Sequence, residues 1–334
     1  MKPVEGSTGA VTLVELLVAL TITAGLAALL LSVTSSTVGS WRRAHEAFTT
    51  DVEAKLALDH VERDFQSLVF RPTGGTWMAV DVTNAASGLS THGWRVTGTI
   101  KPATAESLLL IPPEVNGVEP KIGDARFGLS GVWWRFIASN IETKGSGIPG
   151  GSQPVAMSYQ IARRPVSGPI SATNPADVRY TLFRSTVAAD VTFSVGFDVT
   201  ASGFGSSSSA SSGARSARSL TNPNIADALA SNVVDFGVWL YARNSGGTLQ
   251  RLFPASPSDV SHTATQRSEF PDVADIMIRV LTPEGADLVA AMEAGSGAFS
   301  GPTGLTAAEW WWSVVQSHSR VYVRRVAWRG GQST

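Results

Sequence analysis

Residues Gly9 to Leu31 read GAVTLVELLVALTITAGLAALLL. Within them Val11 to Leu31 form a run of 21 residues whose only charge is the Glu15 carboxylate. A helix crossing a bilayer needs about 20 such residues, so one membrane span is the first expectation. A carboxylate inside the hydrocarbon costs on the order of 2.5–3.5 kcal/mol, which makes Glu15 the residue to explain. A secretory signal peptide would have a basic leader, an apolar core of about 7–15 residues and a small-residue cleavage site. Here Lys2 is the leader's one basic residue, Glu5 offsets it, and the apolar run is too long. A plain anchor gives Glu15 no reason to be there. The third reading is that the carboxylate has a partner.

Downstream of the run, SVTSSTVGS (Ser32 to Ser40) is poor in helix formers, and Gly25 lies inside the span. Each such residue weakens a helix by up to about 1 kcal/mol, which predicts a bend or a locally melted stretch. From Trp41 the helical period returns. Trp41, Ala44, Phe48, Val52 and Leu56 fall at steps of three or four, then Leu58, Val61, Phe65 and Leu68 do the same. Arg71-Pro72 should stop the helix. The division this predicts is a leader over 1–10, a transmembrane helix over 11–31, a helical extension over 32–70 and a β-rich globular domain over 71–334.

GAVTLVELLVAL resembles the N-terminal signature of type IV prepilins and of the pseudopilins of type II secretion. In that superfamily a dedicated inner-membrane peptidase removes a short leader, the new first residue is N-methylated, and the fifth mature residue is glutamate. The resemblance implies cleavage between Ala10 and Val11, methylation of Val11, and an assembly role for Glu15 with Thr12 close by. The family prefers Gly where Ala10 stands and Phe where Val11 stands. In a filament it would set the Glu15 carboxylate against the Val11 α-amine of a neighbouring subunit. Such pairing makes a buried charge far less costly. The partners implied are the prepilin peptidase and methylase, other minor and major pilins or pseudopilins, and an inner-membrane assembly platform powered by an ATPase elsewhere. The place implied is the bacterial inner membrane, single-pass, with the C-terminal domain in the periplasm or extracytoplasmic space.

After Pro72 the period changes to two. Strand-like runs occupy Gly93 to Thr97, Ser107 to Ile111, Gly131 to Ala138, Val155 to Arg163, Arg179 to Ser185, Asn232 to Ala242, Val273 to Leu281 and Arg320 to Trp328. The intervening Glu142 to Pro154 and Gly203 to Ser219 read as loops, and GFGSSSSASSGARSARS is expected to be a mobile insertion. Thr282-Pro283-Glu284 opens a helix over Ala286 to Ala294, and Thr306 with Glu309 forms a capping box ahead of WWWSVVQ. The segment LALDHVERDFQSLVFRP and the order of the later strands are similar to the J-class minor pseudopilins. The fold class expected is α+β and pilin-like: a long N-terminal helix, half membrane span and half amphipathic, packed on an antiparallel β-sheet domain.

Composition narrows the function. With 26 basic and 27 acidic residues nothing favours a nucleic-acid partner. No cysteine is present, which removes disulfides and thiolate chemistry. The five histidines (His45, His60, His92, His262, His318) have no metal-ligand spacing, and no phosphate loop or nucleophile elbow occurs. Asp272 and Asp275 are too few to claim calcium. No cofactor, metal or catalytic residue is expected. Trp310, Trp311 and Trp312 cannot all face one way on a helix, because successive residues turn by about 100°. They are candidates for a partner contact, since tryptophan anchors interfaces. The reading is a minor pseudopilin acting in filament initiation or at a tip, with a minor type IV pilin beside it. The alternative from another class is a membrane-anchored extracytoplasmic binding domain whose span stays uncut.

Overall fold

The computed structural model describes residues 12–72, 74–82, 131–140, 153–165, 178–205, 215–256, 259, 261–293, 302, 304–328 and 330. The expected strands at 93–97 and 107–111, the leader and His92 lie outside the described residues. The chain divides into two units, one up to Thr49 and one from Thr50. The last part of the helix, from Thr50, thus belongs to the same unit as the β-rich part.

Helix α1 spans Leu13–Gln66. The locally melted stretch expected at Ser32 to Ser40 is absent. The hydroxyls that ought to weaken this stretch bond back to the helix itself: Ser35 Oγ donates to the Ser32 carbonyl (2.9 Å) and Thr37 Oγ1 to that of Val33 (2.8 Å). Thr21 and Thr23 do likewise, at 2.8 and 2.7 Å, so no hydroxyl in the apolar run is left without an acceptor. Over Leu13–Trp41 the helix is long and apolar enough to cross a membrane.

The helix ends four residues before the predicted Phe70. Ser67 N–H donates to the Arg63 and Asp64 carbonyls, and its Oγ donates to that of Asp64 at 2.9 Å. Val69 N–H then goes to Ile137 O (3.0 Å) instead of back into the helix. A neighbouring strand outcompetes the last turn. Only the second predicted stripe is buried. Leu58, Val61, Phe65 and Leu68, with Ala54 and Ala57, join the core, whereas Trp41, Phe48, Val52 and Leu56 are exposed.

The β-rich unit holds two antiparallel sheets. Strands β1 (Met78–Val82), β2 (Val132–Asn140), β3 (Gln153–Pro165) and β4 (Val178–Thr186) are followed by a short helix α2 (Ala189–Val195). Then come β5 (Ala228–Ser231), β6 (Val233–Arg243), β7 (Leu249–Phe253), β8 (Ser261–Ala264) and β9 (Val273–Leu281). Helices α3 (Pro283–Glu293) and α4 (Ala307–Ser317) precede the last strand, β10 (Ser319–Ala327). The six-stranded sheet has the order β5-β4-β3-β2-β1-β8 and the four-stranded sheet the order β10-β9-β6-β7. Asn232, between β5 and β6, has φ 59°, a left-handed backbone that asparagine tolerates, and there the chain passes from one sheet to the other.

The two sheets share one core. Phe65 of the helix packs against Trp134 of β2 (ring centroids 5.7 Å apart), and Tyr159 of β3 meets Phe236 of β6 across the sheets (6.2 Å). The later part of α1 is pinned to both. Asp51 accepts from Arg320 Nη1 at 3.0 and 3.1 Å and Arg324 pairs with Asp59 and Glu62, all on β10. Ser231 of β5 donates to Glu53 at 3.1 Å on the other side. The expected mobile insertion is corrected at both ends. Phe204, Ala217 and Leu220 are buried, the Trp133 indole donates to Leu220 O (3.2 Å) and Thr221 Oγ1 to Phe204 O (3.3 Å). Its centre, 206–214, lies outside the described residues.

Candidate functional site

Glu15 is in the first turn of α1, and Thr12 is the residue ahead of it. Glu15 Oε2 accepts from the Thr12 backbone N–H and from Thr12 Oγ1, both at 2.9 Å, while Glu15 N–H donates to Thr12 Oγ1 (3.3 Å). This reciprocal pair is a capping box, which satisfies backbone donors that the first turn of a helix leaves open. Both Thr12 bonds fall on the same oxygen. Oε1 keeps its full acceptor capacity, with no partner among the described residues. Around it Leu13, Val14, Leu16, Leu17 and Val18 are all exposed, so a single acceptor stands in an apolar helical surface. Ala10 and Val11, the expected cleavage and methylation residues, lie outside the described residues.

The structure places the three tryptophans differently from one another. The capping box ahead of them is present, with Glu309 N–H donating to Thr306 Oγ1 (3.2 Å) and Glu309 Oε2 accepting from Thr306 N–H and Oγ1 at 2.8 Å. Trp311 and Trp312 are 3% and 4% exposed and belong to the chain's own core. Trp311 Nε1 donates to Glu293 Oε1 (3.1 Å), and its ring stands edge-on to both Tyr180 and Trp312. The partner-contact expectation therefore narrows to Trp310, which is half-buried.

Asp272 and Asp275 are committed to cations from this chain. Asp272 pairs with Arg267 and accepts from Arg243 N–H (2.6 Å), and Asp275 accepts both Nε and Nη2 of Arg325 at 2.7 Å. Among the described residues no three His, Cys, Asp or Glu side chains are grouped to hold a metal ion. His45 stacks on Trp41 at 5.5 Å, and His262 is half-buried, its ring bonded to Glu269 O (2.9 Å).

Two buried carboxylates went unread in the sequence. Asp64 sits among Tyr159 and Arg184, and Glu293 takes Arg163 Nε and the Tyr180 hydroxyl, both at 2.5 Å, besides Trp311. Burial pushes the Glu293 carboxyl above its ordinary range despite these three donors. A signal for Asp64 existed: it follows Val61 by three and precedes Leu68 by four, which puts a carboxylate on the buried face and demands a cation opposite. No protein-family model, curated protein or solved structure matches the chain.

Proposed function

We propose that the chain is a minor-pseudopilin-like structural subunit of a type II secretion or type IV pilus-like filament, without catalytic turnover, acting in filament initiation or at the tip. The observation that carries this is the Oε1 of Glu15, without a partner among the described residues, at the head of an exposed apolar helix. Cleavage after Ala10 would leave the α-amine of Val11 one residue ahead of the Thr12 cap. In an apolar bundle each Glu15 would then accept a neighbouring subunit's amine while keeping its own cap. The α+β architecture, with the end of the helix built into an antiparallel β unit, supports the same reading. The partners are the prepilin peptidase and methylase, other pilins or pseudopilins and the inner-membrane platform. The β unit would stand on the periplasmic or extracytoplasmic side.

The test is N-terminal peptide and intact mass spectrometry of the protein from its native membrane, alongside Glu15→Ala. A chain beginning at N-methylated Val11, with incorporation among other pilins lost in the variant, is the expected result. An uncut Met1 terminus, or cleavage beyond Leu31, refutes it. One observation favours the second reading, a membrane-anchored extracytoplasmic binding domain: the capping box gives Glu15 a use within its own helix. On that reading Glu15→Ala leaves the protein where it was.

A further inference from the structure

A cavity of about 300 Å³ opens beside the β4–β5 edge of the six-stranded sheet. Its wall is rich in nitrogen donors. His60 comes from α1, Arg184 from β4, and Arg215 from the segment ahead of Ala217. Arg184 commits Nε and Nη2 to Asp64 at 2.6 and 2.9 Å, which leaves Nη1 without a partner among the described residues. The Arg215 guanidinium and the His60 ring likewise make no hydrogen bond or ion pair among them.

Arg215 carries a second, independent mark. Its φ is 68°, the left-handed region that a long side chain rarely adopts, and its carbonyl is held there by Ala188 N–H at 2.8 Å. A strained arginine with no acceptor among the described residues, in the wall of a cavity, is the kind of outlier that accompanies a binding role. The wall's own carboxylate is already engaged: Asp227 Oδ2 accepts from Ser185 Oγ (3.2 Å) and Asn224 N–H (2.9 Å).

We infer that this cavity binds a carboxylate, presented by a small organic acid or by the C-terminus of a peptide. Charge separates carboxylate from phosphate. Asp64 offsets Arg184 and Asp227 stands in the same wall as Arg215, so the site offers several directed donors with little surplus positive charge. One planar anion satisfies that arrangement, because the guanidinium fork matches its two oxygens. A dianion would be under-compensated. Leu229 and Ala228 supply apolar surface for the carbon attached to the carboxylate. The inference does not rest on the filament reading.

The experiment is titration calorimetry on the full chain in detergent micelles with four probes: propionate, acetyl-Ala-Ala as the free acid, acetyl-Ala-Ala amide and inorganic phosphate. Saturable binding of at least one acid is expected, with the amide at least about 10-fold weaker, since a hydrogen bond to a charged group contributes roughly 1.5–3 kcal/mol. Equal affinity for the two acids identifies a small acid as the ligand, and tighter binding of the dipeptide a peptide terminus. Arg215→Ala should weaken binding by a similar factor. Ala228→Glu places a negative charge at an exposed position of the wall and should do the same with the thermal unfolding curve unchanged. No saturation by either acid, tighter binding of phosphate, or full affinity in both variants would overturn the assignment.

Discussion

The Asp64 carboxylate and the Arg184 guanidinium face each other in two parallel bonds, Nε to Oδ2 at 2.6 Å and Nη2 to Oδ1 at 2.9 Å, 120 residues apart in the chain. Tyr159 donates its hydroxyl to the same Oδ2, and the three groups tie α1 to β3 and β4. Removing one partner leaves the other charge buried, at a cost of about 3–5 kcal/mol. Arg184→Met should therefore lose on the order of 3 kcal/mol of stability in urea unfolding followed by tryptophan fluorescence. The Asp64→Asn, Arg184→Met double variant should lose less than the sum of the singles. A loss under about 1 kcal/mol for Arg184→Met would mean that the pair is screened as a surface pair is.

Stability should also depend on pH with two unequal limbs. Burial, then the Asp64 charge, holds the Tyr159 phenol well above its ordinary range; burial and the Asp51 bond push Tyr322 up to about 12. The native state therefore keeps these protons where the unfolded chain, titrating near 10, has lost them. Stability is full below about pH 10 and falls above it. On the acid side the Tyr322 hydroxyl lowers Asp51 and the Thr265 N–H lowers Glu269, so their contribution is present above about pH 4.5 and lost below. Glu293, raised by burial, works in the opposite sense: its contribution is present below about pH 4.5 and lost as the pH rises above that. Melting temperatures across the range, with Tyr159→Phe blunting the alkaline limb, test this.

Gly131 opens β2 with φ 69°, and a Cβ there would meet the Phe236 carbonyl oxygen at 2.3 Å and its nitrogen at 2.8 Å. Both the left-handed backbone and the close approach of β6 forbid a side chain. Gly131→Ala should cost about 2–5 kcal/mol, strain and overpacking together. Gly247→Ala, at φ 78° with nothing within 4 Å, has the first penalty alone, about 1–2 kcal/mol. Denaturant midpoints that rank the two the other way would show that β2 and β6 can move apart freely.

Phe48 and Phe65 lie on one helix and differ in everything else. Phe48 is 67% exposed and Phe65 fully buried against Trp134. Phe65→Ala should destabilise the β-rich unit by about 3–5 kcal/mol. Phe48→Ala should stay within about 0.5 kcal/mol of the parent protein. Any larger effect of Phe48 in a native membrane, absent in detergent, would report a contact outside this chain.

Local signals were legible and distant ones were not. The capping box from Thr306 to Glu309 lies within four residues, and the long central strands β3 and β9 have strong patterns of their own, whereas the box from Thr12 to Glu15 was not read as one. Strands β1, β5, β7 and β8 are four or five residues long and are strands because of what they pair with. The run read from Asn232 matches β6, but β5 just ahead of it went unread, because periodicity does not register a change of sheet at one left-handed residue. The stripe from Trp41 to Leu56 has a helical period whether or not anything covers it, so the sequence could not separate it from the buried stripe. Asp64 and Arg184, like the wall of the cavity, meet only after the sheets have formed.

The pairs that join α1 to β10 also impose an order of events. Asp51 waits for Arg320, Asp59 for Arg324, and the Leu68 carbonyl for the Trp328 indole, separations of 269, 265 and 260 residues. A chain made from its N-terminus exposes this helix long before it completes the strand that receives it. Closure is therefore a late, non-local step, and it cannot be hastened by local propensity. A nascent or truncated chain lacking β10 would still present the polar flank of its helix, Asp51, Asp59 and Glu62, to whatever cation it meets first. Whether that strand has been made is thus read out by the same few arginines that close the helix onto the sheet.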